Sequence, residues 1–147
     1  MPNEATEKNH PSNSVRRYKR TRSDHALELA EDYVELIDDL IRETGEARAV
    51  EIARRLGVST VTVTNTVSRL KRNGLVTSEP YRAVFLTKEG KRLADAARKR
   101  HKLVLDFLIA LGVPPADAEL DAEGIEHHLS PATLTTMRKF LKDQPAT

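Results

Sequence analysis

The stretch Ala49-Val50-Glu51-Ile52-Ala53-Arg54-Arg55-Leu56-Gly57-Val58-Ser59-Thr60-Val61-Thr62-Val63-Thr64-Asn65-Thr66-Val67-Ser68-Arg69-Leu70-Lys71-Arg72-Asn73-Gly74 decides the fold. Ile52, Ala53 and Leu56 share one helical face, and Gly57 stands where a left-handed residue closes such a helix. Val58 is expected as a buried turn residue, and Ser59 as the N-cap of a second helix that runs to Asn73 and is terminated by Gly74. Two short helices joined by a tight glycine-containing turn make a helix-turn-helix. In the second helix Val63, Val67 and Leu70 form the inward stripe. The outward face carries Val61, Asn65, Ser68 and Arg72, flanked by Thr62, Thr64 and Arg69, with Ser59 at its start. That surface is small, polar and basic. It can enter a major groove, where Asn reads adenine, Thr and Val meet thymine methyls, and Arg reaches guanine or phosphate. The alternative is a helix pair used only for packing.

Downstream, Leu75 to Glu79 and Ala83 to Leu86 read as two short strands around the turn Pro80-Tyr81-Arg82. Such a wing places Arg82 at its tip, within reach of a phosphate backbone. Thr87 is the expected cap of a long helix from about Lys88 to Leu111, with Leu93, Ala97, Val104 and Leu108 as its apolar stripe and Phe107 beside it. His101 falls within that stripe, where a core histidine is the ordinary explanation; Arg98, Lys99, Arg100 and Lys102 read as a solvated face. Pro114-Pro115 restarts the chain after Gly112, and Ser130-Pro131 opens a last helix with Leu134, Met137, Phe140 and Leu141 apolar. Three helices with so little core of their own predict a dimerisation region.

Upstream, His25 to Arg42 is helical in pattern. Leu27, Ala30, Val34, Ile37 and Ile41 share a face edged by Tyr33 and Leu40, while Glu28, Asp32, Glu35 and Asp39 form an acidic stripe expected to face solvent. Residues 1–24 lack apolar periodicity and are expected to be a disordered tail. Its basic cluster, Arg16, Arg17, Lys19, Arg20 and Arg22, suits either contact with DNA phosphates or simple solubilisation. The expected fold is mostly α, with a disordered basic tail (1–24), a winged helix-turn-helix (25–90) and an all-α metal-binding and dimerisation domain (91–147).

Composition removes several classes of function. The 147 residues contain no cysteine, so disulfides, thiolate catalysis and cysteine-bound zinc are excluded, and any metal must use oxygen and nitrogen ligands. No apolar run approaches the ~18 residues of a membrane span, and no signal-peptide pattern is present, so a cytoplasmic protein without a membrane partner is expected. Gly-rich phosphate loops, nucleophile elbows and the two-histidine zinc-protease patterns are all missing, which argues against an enzyme.

One further stretch carries chemistry: Asp121-Ala122-Glu123-Gly124-Ile125-Glu126-His127-His128-Leu129. Read as helix, it puts Glu123, Glu126 and His127 at i, i+3 and i+4 on one face. Adjacent ionised carboxylates repel, so they are stable either in water or around a cation, and donors at this pitch suit a divalent metal. A solvated polar helix face is the alternative.

The segments Ala30–Glu35, Val58–Leu70, Leu86–Gly90 and Asp121–Ser130 together resemble the metal-dependent regulators typified by the diphtheria toxin repressor, most closely the manganese-responsive branch. The resemblance spans about Leu27 to Leu141. It implies metal ligands at Asp32, Glu35, His101, Glu123, Glu126 and His127, two Mn(II) ions per subunit bridged by Glu35 and Glu123, and a packing or supporting role for His128. It also implies a homodimer on double-stranded operator DNA that represses manganese-uptake genes. Iron-responsive relatives carry Met and Cys where Asp32 and Glu126 stand, and the exchange of sulfur for carboxylate favours a hard ion. The chain departs from the family in its basic N-terminal extension and in ending without the small C-terminal barrel of the iron-type members. Competing expectations are an iron- or zinc-responsive repressor on the same scaffold, and a winged-helix regulator independent of metal.

Overall fold

A computed structural model describes residues 11–145 of the chain. In order, the elements are α1 (Pro11–Thr44), α2 (Ala49–Leu56), α3 (Thr60–Arg72), β1 (Val76–Thr77), β2 (Phe85–Leu86), α4 (Lys88–Ala110), α5 (Pro115–Ile125) and α6 (Pro131–Lys142). A single 3₁₀ turn, Glu126–His128, separates α5 from α6. The mostly α architecture and the antiparallel wing are as expected, with Val76 paired to Leu86 and Thr77 to Phe85. Among the described residues no helix is long and apolar enough to cross a membrane.

Local chemistry sets the helix ends. Gly57 closes α2 at φ 69°, a conformation that costs a residue with a side chain, and its N–H donates to the Ala53 carbonyl. The hydroxyl oxygens of Ser59, Thr87 and Ser130 accept from the N–H groups of Thr62, Gly90 and Thr133, so each caps the helix that follows it. Thr87 also donates to the Gly74 carbonyl at 2.6 Å, tying α4 to the end of α3. Gly90 is required for a different reason: a Cβ there would overlap the carbonyl oxygen of Leu75.

Two apolar clusters result. The larger joins Tyr33, Ile37 and Leu40 of α1 to Ile52, Val63, Val67 and Leu70 of the helix-turn-helix and to Val76 and Val84 of the wing. The smaller holds Val104, Ala122 and Met137, with Phe107, Leu108, Leu129 and Leu134 packed around them. Helix α1 therefore belongs to the DNA-binding unit through its core and reaches α4 along its other face.

Several expectations are corrected. Residues 11–24, expected as disordered tail, are the first turns of α1. Extending a helix already nucleated by packed turns adds a hydrogen bond per residue without a new nucleus, and residues 12–24 contain no Gly or Pro to stop it. Residues 1–10 lie outside the described residues. Val58 is 40% exposed and Leu27 44% exposed, so neither belongs to the core. The wing strands are two residues each, because Val84 leaves its neighbour strand and bridges to Ala47 instead. Arg98 and Arg100, expected on a solvated face, turn towards α1 and are only 28% and 19% exposed.

The contact between α1 and α4 is held at one end by ions. Asp38, almost fully buried, accepts from Lys91 at 3.0 Å and from Arg98 at 2.5 Å, and Arg42 stands 3.1 Å away. Arg98 also donates to Asp39 at 2.6 Å and to the Glu35 carbonyl at 3.3 Å. Burial alone would raise the pKa of Asp38, but the bonds from Arg98 and Lys91 outweigh it and leave it below the usual carboxylate range. A pKa lowered by folding contributes stability above the unfolded value and loses it as pH falls through the folded value. Asp38→Asn is expected to lower unfolding free energy by about 1–3 kcal/mol in urea titrations at pH 7. The gap between wild type and variant should close as the pH is taken below about 3.8, the ordinary carboxyl value.

Candidate metal centre

Four carboxylates line one face of α1: Glu28, Glu31, Asp32 and Glu35 stand at i, i+3, i+4 and i+7. The oxygens of Asp32 and Glu35 meet that of Glu123 from α5, all within 4.8 Å of one another. Glu126 and His127 come from the 3₁₀ turn and form a second such set with Glu31, while Glu28, Asp32 and His127 form a third. His127 is the hinge of the group. Its Nε2 lies 3.2 Å from Asp32 Oδ1 and 3.2 Å from Glu126 Oε1, and its Nδ1 lies 3.0 Å from Glu31 Oε2. His101 approaches from α4, with Nδ1 3.5 Å from Glu123 Oε2 and Nε2 2.9 Å from Glu119 Oε1. The six residues singled out in the sequence thus form one unbroken chain of neighbours across α1, α4, α5 and the turn.

The geometry differs from a single helix face. Helix α5 ends at Ile125, and the tighter turn after it rotates Glu126 and His127 inward, where each side chain is 1% exposed. Glu123, still on α5, keeps 62% of its side chain in solvent. The trio is split between a buried pair and an exposed carboxylate rather than aligned.

Charge is only partly balanced here. Arg100 donates through Nε to Glu126 at 2.7 Å and through Nη2 to Glu31, covering the inner side of the cluster. Nothing comparable reaches the outer side among the described residues. Burial and the neighbouring charges of Glu126, Glu123 and Asp32 push Glu35 up to about 7, against a smaller opposing effect of Arg98. Burial disfavours the charged form of His127, but the Asp32 hydrogen bond and the charges of Glu126, Asp32 and Glu28 exceed it and raise its pKa. Two buried atoms, Glu31 Oε1 and His101 Nδ1, have no hydrogen-bond partner among the described residues. An unpartnered imidazole nitrogen beside a carboxylate, within a set of oxygen and nitrogen donors, fits a divalent cation.

The other candidate surface lies on α3 and the wing. Ser59, Val61, Thr62, Thr64, Asn65, Ser68, Arg69, Arg72 and Arg82 are all exposed, as groove contact requires. All four of its hydroxyls are already engaged: Ser59 in the cap, Thr62 with the Ser59 hydroxyl at 2.9 Å, Thr64 with the Thr60 carbonyl at 2.9 Å, and Ser68 with the Thr64 carbonyl at 3.0 Å. Arg82 pairs loosely with Glu79 at 3.3 Å beside Tyr81, which takes a positive φ of 60° at the tip.

Glu31 and Glu119 were not singled out from the sequence, and Glu28 and Arg100 were expected only as parts of solvated faces. A signal for Glu31 exists. It lies three residues before Val34, and Asp38 lies four after it, so both occupy the buried face of α1. No local pattern marks Arg100, whose partners are 69 and 26 residues away.

Comparison with known proteins agrees with this geometry. Residues 25–84 match the N-terminal DNA-binding domain of iron-dependent repressors, and residues 87–145 match their metal-binding and dimerisation domain. The transcriptional regulator MntR of Escherichia coli O6:H1 is 51% identical over 132 residues, covering 90% of this chain and 85% of the relative. MntR of Salmonella typhimurium is 50% identical over 126 residues, 86% of this chain and 80% of the relative. Among solved structures, the manganese regulator SloR superposes with a TM-score of 0.67 at 29% identity over 78% of this chain. A manganese-dependent transcriptional repressor in complex with manganese gives 0.67 at 30% identity, also over 78%. The chain spans about half the length of these two solved proteins, 54% and 53%. The chain belongs to the iron-dependent repressor family, in its branch of manganese-responsive transcriptional regulators: not enzymes, but proteins that join a DNA-binding domain to a metal-binding and dimerisation domain.

Proposed function

We propose that this chain represses manganese-uptake genes when manganese is plentiful, binding a palindromic operator as a homodimer in the cytoplasm. The observation that carries the reading is the double membership of α1. It lends Tyr33, Ile37 and Leu40 to the core of the DNA-binding unit and Asp32 and Glu35 to a donor cluster completed by α4, α5 and the turn. In this reading the division falls near residue 90, with 25–90 binding DNA, 91–147 binding metal and pairing, and the basic residues before 25 serving as an arm.

Asp32, Glu35, His101, Glu123, Glu126 and His127 would hold Mn(II), and two ions per subunit are supported by overlapping donor sets that share Asp32 and His127. Bound manganese supplies the positive charge that the outer carboxylates lack. Asp32 and Glu35 from one unit and Glu123, Glu126 and His127 from the other then hold α1 in a fixed relation to the dimerisation helices. Such a joint can set two recognition helices about one DNA turn, ~34 Å, apart. Ligand binding at the two sites is then coupled, and the coupling is reciprocal. Exposed Ile109, Leu111, Leu120 and Ile125 around α4 and α5 support a covered dimer face. On α3, Val61, Asn65, Ser68 and Arg72 face the groove, with Ser59, Thr62, Thr64 and Arg69 beside them and Arg82 on the phosphates.

Glu123→Gln is expected to weaken Mn(II) binding, followed by electron paramagnetic resonance, and to abolish manganese-stimulated retention of operator DNA in gel shifts. Operator binding that persists with chelator present would overturn metal control, and activation by iron but not manganese would overturn the choice of ion. Asn65→Ala should cost about 1–3 kcal/mol of operator affinity and relax the sequence preference at one base pair. Arg82→Ala should instead weaken binding to all sequences alike and reduce the salt dependence by about one counterion, read from titrations at several salt concentrations.

A further inference from the structure

We propose that Arg100 is the resident cation of this centre, a positioning residue that stands in for metal on the buried carboxylates and thereby sets how much metal the centre needs. The inference rests on the metal-binding reading above and goes beyond it, because Arg100 ligates nothing and acts through Glu31 and Glu126. Glu31 on α1 and Glu126 in the 3₁₀ turn are each 1% exposed. His127 touches both, through Nδ1 at 3.0 Å from Glu31 Oε2 and Nε2 at 3.2 Å from Glu126 Oε1. Each of the three offers one atom within 4.8 Å of the others, so the trio has the layout of a metal site, wholly out of water. Two ionised carboxylates in such a place need an opposite charge if the chain is to fold around them.

Arg100 supplies that charge from inside the molecule. Its Nε donates to Glu126 Oε2 at 2.7 Å and its Nη2 donates to Glu31 Oε2, so one guanidinium bridges an acid of α1 and an acid of the turn. A rigid fork of donors whose charge is never lost suits this task, and a lysine ammonium lacks the fork. With Oε2 taken, Glu126 keeps Oε1, the oxygen beside His127 Nε2, for another partner. Glu31 likewise keeps Oε1, a buried oxygen that no partner reaches among the described residues. The inner donors are therefore half used. The consequence has two sides. A fixed positive charge beside Glu126 holds α1 and the turn together without metal, and it repels any divalent ion bound to the same carboxylate. Reversible sensing needs both effects: a metal-free state that stays folded, and an affinity low enough for the ion to leave.

The test titrates the full chain with Mn(II), followed by electron paramagnetic resonance, and measures its melting temperature in chelator. Arg100→Met is expected to melt lower than wild type in chelator, yet to bind Mn(II) about 10-fold or more tightly, the scale on which one neighbouring charge moves a proton equilibrium. A merely structural role would lower stability and affinity together, so unchanged or weaker Mn(II) binding in Arg100→Met would overturn the proposal. Arg100→Lys keeps the charge and should keep the affinity of wild type; tightening there as large as in Arg100→Met would also overturn it. Combining Glu31→Gln with Arg100→Met removes equal and opposite charges, and this pair decides the matter where the single variant does not fold. It should bind Mn(II) as wild type does, and a lost or still tighter affinity would overturn the role of charge. A wild type that prefers Fe(II) would overturn the choice of manganese and not this inference, which the same titrations with Fe(II) then decide.

Discussion

Everything in this molecule turns on negative charge gathered along one face of α1 and on what answers it. Glu31 and Asp38 are buried on that helix, and Glu126 is buried opposite it. Carboxylates removed from water are stable only with hydrogen bonds and opposite charge. Helix α4 supplies that charge in two places. Lys91 and Arg98 meet Asp38, and Arg100 meets Glu31 and Glu126. Between these pairs Asp32, Glu35 and Glu123 face one another, and among the described residues no Lys or Arg side chain pairs with them.

The contrast between the two ends of the same helix is informative. At the Asp38 end the ion pairs are complete and the carboxyl is held below its usual range, so that end is a fixed fastening. At the Glu35 end burial, with the repulsion of neighbouring carboxylates that Arg98 only partly offsets, holds the carboxyl above its usual range. Under the proposed function, a complete link beside an incomplete one suits a metal-controlled joint, in which the DNA-binding unit stays attached while its orientation is left to the second contact. The turn at Glu126–His128 serves the same end. By leaving the α-helical path it moves two donors from the surface to the α1 face, and it carries His128 towards Glu28.

Much of this was legible in the residues because much of it is local. Gly57, Ser59, Thr87 and Ser130 specify helix ends through backbone conformation and single hydrogen bonds, and each does so in the structure as the sequence implies. The spacing of Val63, Val67 and Leu70 buries one side of α3 and so leaves Asn65 and Arg72 outside. Spacing marked Glu123, Glu126 and His127 as donors, whereas Asp32, Glu35 and His101 joined them as candidate ligands only through a family resemblance, because Asp32, His101 and Glu123 are far apart in the chain. Their assembly depends on helix packing that no local pattern encodes.

The sequence by itself therefore determined the helix-turn-helix, its caps and its outward face, because period and capping chemistry act within a few residues. The tertiary structure alone decided the end of α5 at Ile125, the burial of Glu31 and the inward turn of Arg98 and Arg100. Residues 11–24 continue α1 for a local reason, propagation of an existing helix through residues 12–24, which hold no Gly or Pro. The end of α5, the burial of Glu31 and the inward turn of the two arginines share one physical reason. Whether a charged side chain is solvated, paired or set beside like charge depends on which helix lies across from it, and that is a property of the packed molecule.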